Sequence, residues 1–113
     1  MQNNTLKPRE FKFKMRAATY VADSPIHGKG LFAADHIAAG SIIGWLEGIP
    51  CEVDGCYVLW LSATQAIEVT CDLKYINHAD RPNACYYDDL SVVALEDIAP
   101  HQEITHNYAN TDY

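Results

Sequence analysis

The sequence predicts a mainly β protein built as one small domain, on three observations. Apolar residues come in short runs, the first of which alternates with charged residues at the period of two that a half-buried strand requires. Gly, Asp and Pro stand between the runs, where chain reversals need them. No run is long enough to propagate an amphipathic helix past its costly first turn. At 113 residues, with 49% hydrophobic content, the chain has the size and composition of a single packed core.

Phe11, Phe13 and Met15 alternate with Lys12, Lys14 and Arg16 and predict the first strand, so that residues 1–17 form a basic N-terminal segment with that strand and residues 18–113 the main domain. Thr19 to Ala22 predicts the second strand, closed by Asp23-Ser24-Pro25 and the turn-rich stretch Ser24 to Gly30. Further short strands are expected at Leu31 to Ala34, Ser41 to Glu47, Tyr57 to Leu61, Ile67 to Thr70, Ala84 to Tyr87, Ser91 to Leu95 and Glu103 to Thr105. Asp72 to Asn77 predicts one irregular helical turn. No internal repeat or low-complexity tract interrupts the pattern.

Charge is divided unevenly. Residues 1–16 set Lys7, Arg9, Lys12, Lys14 and Arg16 against Glu10, a net +4, whereas the remaining 97 residues set Lys29, Lys74 and Arg81 against fourteen acids, a net −11. An acidic body argues against direct nucleic-acid binding, which needs a basic footprint, and favours a cationic partner; the plainer role for such a surface is solubility. The absence of a long apolar run and of a hydrophobic signal core leads us to expect a cytoplasmic protein with no membrane partner, without excluding action in a host nucleus. Reduced thiols are then expected at Cys51, Cys56, Cys71 and Cys85. A zinc site drawing on these and His78 is the alternative, but no Cys-x-x-Cys pair supports it, so no metal is expected.

Three segments concentrate chemistry. Ile26-His27-Gly28-Lys29-Gly30-Leu31-Phe32 carries two glycines one residue apart, which permit a tight turn and close approach of backbone to a ligand, although such a pair is more often a plain turn. Tyr75-Ile76-Asn77-His78-Ala79-Asp80-Arg81-Pro82-Asn83-Ala84 is dense in hydrogen-bonding side chains, which equally suits a sharp structural loop. Glu103-Ile104-Thr105-His106-Asn107-Tyr108 sets a histidine near a tyrosine, an ordinary core combination when taken alone.

In order and spacing the three segments resemble the SET-domain family of protein lysine methyltransferases, whose pattern runs from a Gly-x-Gly turn through Arg-Phe-x-Asn-His-Ser-Cys-x-Pro-Asn to Gly-Glu-Glu-Leu-x-Tyr-Asp-Tyr. The resemblance spans roughly residues 18–108 and is carried most specifically by Asn77-His78 with Pro82-Asn83. It implies a small SET-type fold of short sheets in which the C-terminal segment passes under a preceding loop as a pseudoknot. It also implies that Gly28, Lys29, Gly30, Leu31, Asn77, His78 and Tyr108 hold S-adenosylmethionine, that Tyr108 is the active-site tyrosine, and that Tyr57, Tyr75 and His106 line the channel for the substrate lysine. The implied activity is methyl transfer to a lysine in a basic protein tail such as that of a histone, a histone-like protein or a ribosomal protein.

Departures from the family pattern bear on the details. Ala79-Asp80 replaces Ser-Cys, His101-Gln102 replaces Gly-Glu, and His106-Asn107-Tyr108 replaces the aromatic-Asp-Tyr ending. The cysteine-rich tail of many histone-directed members has no counterpart in Ala109 to Tyr113, as in minimal viral and bacterial members, which leaves Tyr113, the basic N-terminal strand or a second subunit to cover the cofactor; of these the expectation favours a homodimer. Two rival readings differ in class: a SET fold that binds a partner without catalysis, and a small zinc-binding interaction module.

Overall fold

A computed structural model describes residues 15–55, 57–60, 62–87 and 89–107. The expected first strand falls largely outside these residues; within them, Met15 forms a bridge with Gly44, and Arg16 N–H donates to Ile43 O at 2.9 Å. The described chain is short strands joined by turns, with a single 3₁₀ turn at Asp72–Tyr75 and no other helix. The mainly β expectation holds.

The strands are β1 (Thr19–Asp23), β2 (Lys29–Ala33), β3 (Ile42–Trp45), β4 (Gly48–Cys51), β5 (Val58–Trp60), β6 (Ala66–Val69), β7 (Asn77–His78), β8 (Ala84–Tyr86), β9 (Ser91–Ala94) and β10 (Thr105–His106). They form four small sheets, with orders β1-β2, β10-β7, β3-β9-β8 and β4-β6-β5. All pairings are antiparallel except β10 with β7, which is parallel.

Two expected strands are altered, and β7 forms where no strand is expected. The single strand expected over Ser41 to Glu47 ends at Trp45, and the chain crosses at Leu46–Glu47 into a second sheet as β4, which contains Gly48 and Pro50. A proline argues against a central strand, but β4 is an edge strand, where the missing N–H leaves no gap in the ladder. The strand expected at Glu103 to Thr105 is shifted to Thr105–His106, while Glu103 makes only an isolated bridge to Phe32.

One core joins the sheets: Leu31, Ile43, Leu73, Val92, Ile98 and Ile104 are fully buried, each from a different part of the chain. At roughly 1.5–3 kcal/mol for each large apolar side chain removed from water, this core is the main force holding strands too short to be stable as isolated hairpins.

The C-terminal segment is threaded into this core. Ile104 N–H donates to Leu31 O at 2.8 Å and Ala33 N–H to Gln102 O at 3.0 Å, which fasten the segment to β2. On the other side β10 pairs with β7 in the register Thr105↔Asn77 and His106↔His78, and Ala79 N–H donates to His106 O at 2.9 Å. Asn83 closes the loop over it. Its carboxamide donates to Glu103 O at 2.9 Å and accepts from Thr105 N–H at 2.8 Å, imitating a strand partner with a side chain. The chain thus passes beneath residues 79–83, the pseudoknot expected from the resemblance.

Candidate active site

The threading brings the three chemistry-bearing segments to one place. Ser24 organises the first: its hydroxyl accepts from Ile26 N–H at 2.9 Å and His27 N–H at 3.4 Å, while Ser24 N–H donates to Gly28 O at 2.8 Å. Gly28 completes the turn with φ +46°, a left-handed conformation that costs a side-chain-bearing residue free energy. The space where its Cβ would stand is open, with no atom within 4 Å.

Gly30 is a glycine for a different reason. A Cβ there would collide with the Glu103 carboxylate and crowd Ser24 Cβ, so the room it leaves is filled by the protein itself and not by a ligand. Glu103 is the hub of the site. Ser24 Oγ donates to its carboxylate at 2.8–2.9 Å, and Asn77 Nδ2 donates to its Oε2 at 2.9 Å. The same Asn77 nitrogen reaches His27 O and Lys29 O, each at 3.0 Å. Three acceptors around one end of the carboxamide fix which end is nitrogen. Asn77 therefore ties the glycine turn to β7, and Glu103 ties both to the threaded segment.

The residues predicted to hold a cofactor occupy different positions around this knot. Ile26 to Lys29 are exposed, as is His78, whose Nε2 lies 3.5 Å from the exposed Asp80 carboxylate. The Lys29 ammonium points away to Asp23 at 2.6 Å; that hydrogen bond raises the Lys29 pKa and lowers that of Asp23, but both groups are open to solvent. Leu31 is a core residue with no exposed surface, and its carbonyl already accepts from Ile104 N–H, so it lies behind the turn and not on the surface a ligand would meet. Tyr108 lies outside the described residues.

Two of the residues expected to line the channel meet directly. The Tyr57 and Tyr75 rings meet edge to face at 5.9 Å, and the Lys74 ammonium lies 5.0 Å from the first and 5.2 Å from the second. Tyr57, Leu59, Val69, Leu73, Lys74 and Tyr86 line a narrow cavity of about 20 Å³, room for roughly one water. Tyr86 continues the aromatic wall inward, with its ring 4.7 Å from that of His106. His106 is 2% exposed, and burial, followed by the nearby charge of His78, lowers its pKa to about 4, so the imidazole is neutral at pH 7. A larger hollow of about 400 Å³ between Pro50 and Ile67 is lined by none of the predicted residues.

Sequence reasoning did not single out Glu103 or Tyr86, which the structure brings against the candidate residues Asn77 and His106. Glu103 read as the start of a strand, and its role arises only from where threading places its carboxylate. Tyr86 sits in an unremarkable run, Ala84-Cys85-Tyr86, and no local signal marks it. Cys51 and Cys71 are half-buried, Cys85 is buried and Cys56 lies outside the described residues. Among the described residues no three His, Cys, Asp or Glu side chains gather as metal ligands, and no helix is long and apolar enough to cross a membrane.

Comparison with known proteins places this architecture. The SET domain family model matches residues 28–109, which contain the first segment from Gly28 onward and the whole of the other two, and the chain belongs to the SET domain family. Among solved structures, a Plasmodium falciparum protein provisionally named as a histone methyltransferase has the same fold, with a TM-score of 0.68 and 19% sequence identity. The match covers 86% of this chain and 97% of that one. No curated protein matches the sequence. Members of the family are generally lysine methyltransferases that use S-adenosylmethionine.

Proposed function

We propose that this protein is an S-adenosylmethionine-dependent protein lysine N-methyltransferase acting on a lysine in a basic protein tail. The observation that supports it most is the knot of Ser24, Asn77 and Glu103, which holds an exposed glycine turn, while a separate narrow cavity is walled by Tyr57 and Tyr86. Two distinct places, a turn and a cavity, suit a transfer between two ligands.

The residues present fit the cofactor. The exposed backbone at Gly28 and Lys29 offers a close approach with no side chain standing over Gly28, and Asn77 hydrogen-bonds the turn at His27 O and Lys29 O. S-adenosylmethionine supplies a methyl group made electrophilic by its sulfonium, so the protein's task is orientation and exclusion of water. An ordinary lysine, with a pKa of about 10.4, is protonated at pH 7 and has no lone pair to offer. Entry between Tyr57, Tyr75 and Tyr86 removes water from the ammonium and lowers that pKa. Tyr108, by its place in the family motif, orients the amine.

His106 stands where the family carries Phe or Tyr. As a neutral imidazole at the inner end of the aromatic wall, it is suited to hold a water by hydrogen bonding and so to leave little room for a methylated amine. A second copy of the chain is the proposed cover for the cofactor face, to be read from the solution mass with cofactor present.

Labelled S-adenosylmethionine incubated with a panel of basic proteins tests the activity. Transfer to lysine is expected, and Tyr108→Phe, which removes only a hydroxyl, is expected to abolish it while cofactor binding persists. S-adenosylmethionine should also raise the melting temperature, since a ligand at 100 times its Kd adds about 2.7 kcal/mol. Cofactor-dependent stabilisation without transfer to any basic protein would favour the non-catalytic binding module.

A further inference from the structure

The ammonium held between Tyr57 and Tyr75 belongs to the protein itself. Lys74 Nζ lies 5.0 Å and 5.2 Å from the two ring centroids, within the roughly 6 Å over which a cation is drawn to an aromatic face. The edge-to-face packing of the rings, 5.9 Å apart, fixes both around one position. Among the described residues no carboxylate lies within 4 Å of Lys74, so in this acidic body the rings, and not an ion pair, are its partners. Its backbone is held by the 3₁₀ turn, with Lys74 N–H donating to Cys71 O at 3.0 Å, and Leu73 beside it is fully buried. Lys74 is therefore delivered to the rings by a rigid element, at little entropic cost beyond its own side chain.

We infer that Lys74 is a specificity-determining residue that competes in cis with the substrate lysine for the Tyr57–Tyr75 ring pair. This rests on the proposed lysine-methyltransferase reading, in which those rings stand at the entrance to the lysine channel. Two ammonium groups cannot share the site, because each loses hydration there and like charges repel at close range. A substrate lysine enters only by displacing Lys74, and the displaced ammonium then stands beside the incoming chain. Basic residues flanking the target on that side are disfavoured, although the acidic body attracts basic tails from a distance. Contact selection and long-range steering thus act in opposite directions.

The test uses the full chain and a peptide bearing one target lysine, with its Kd measured by calorimetry and its KM by turnover. Lys74→Met removes the competing ammonium while keeping a side chain of similar length, and Lys74→Gln is a second variant with a polar end. Both are expected to lower Kd and KM by about 5- to 30-fold, the loss of two ring contacts to one cation. Lys74→Arg, which restores a cation on the rings, is expected to restore the wild-type Kd. Arg81→Gln removes the same unit of charge from an exposed loop position and is expected to leave Kd near wild type. An unchanged Kd in both Lys74→Met and Lys74→Gln, an equal fall in Arg81→Gln, or no peptide binding to any form overturns the inference. Tighter peptide binding in the Lys74 variants with no methyl transfer by any form would sustain it while sinking the methyltransferase reading.

Discussion

Glu103 and Asn77 are joined by a 2.9 Å hydrogen bond from Asn77 Nδ2 to Glu103 Oε2, which links the threaded C-terminal segment to the strand it lies beside. Ser24 and Gly30 meet the same carboxylate from the glycine turn. A single acidic side chain therefore locks together all three segments that the sequence singles out.

Glu103→Gln keeps the shape but turns charge-assisted bonds into neutral ones and points an NH₂ at existing donors. Loss of about 1.5–3 kcal/mol is expected, with weaker binding of S-adenosylmethionine because the turn, still bonded to Asn77, is held less firmly to the threaded segment through Ser24. Thermal melts with and without cofactor check this. A cofactor-induced shift as large as in wild type would show that Glu103 supports the fold alone.

Gly30→Ala puts a methyl group into the volume of the Glu103 carboxylate. Overpacking costs about 1–3 kcal/mol, and the displaced carboxylate should release Asn77 as well. Gly28→Ala meets no atom, so its cost should come from backbone conformation alone. A double-mutant cycle with Glu103→Gln separates them: strong coupling for Gly30, near-additivity for Gly28.

Asn83→Ala removes the side chain that completes the backbone hydrogen bonding of the threaded segment. Thr105 N–H loses its acceptor and Glu103 O a donor, in a place where Asn83 is 4% exposed and Thr105 7%. A cost of roughly 2–4 kcal/mol is expected, read as a lower urea midpoint at unchanged m.

His106 makes stability depend on pH. Its pKa is about 4 in the folded protein against 6.5 when solvated, so between these values the unfolded chain binds the proton and the folded one does not. Stability from this residue is thus complete above pH 6.5 and is lost as pH falls toward 4, by about 3 kcal/mol at 1.36 kcal/mol per unit. His106→Phe removes the titration and should flatten the pH dependence of the urea midpoint across that window. An unaltered slope would mean other groups dominate it.

Product state tests the chemistry of the same residue. Wild type should yield mainly mono- and dimethyl-lysine by mass spectrometry, and His106→Phe, with no group to hold a water, should shift product toward higher states. A mainly trimethylated product from wild type would refute the bound-water role.

The sequence alone determined the class of fold and the family pattern. Strand period, turn residues and the spacing of Gly28, Asn77-His78 and Glu103 to Tyr108 are local patterns, and each is written in consecutive residues. Tertiary structure decided what those residues do. Gly30 reads as room for a ligand and proves to be room for Glu103; Lys29 reads as part of the turn and pairs with Asp23 outside it; Leu31 reads as a flank of the site and is core. Glu103 and Tyr86 acquire their places only when β10 is threaded beside β7, and Lys74 only when Tyr57 is folded against Tyr75. Side-chain partners across such distances are set by burial and packing in three dimensions, for which a linear pattern carries no signal.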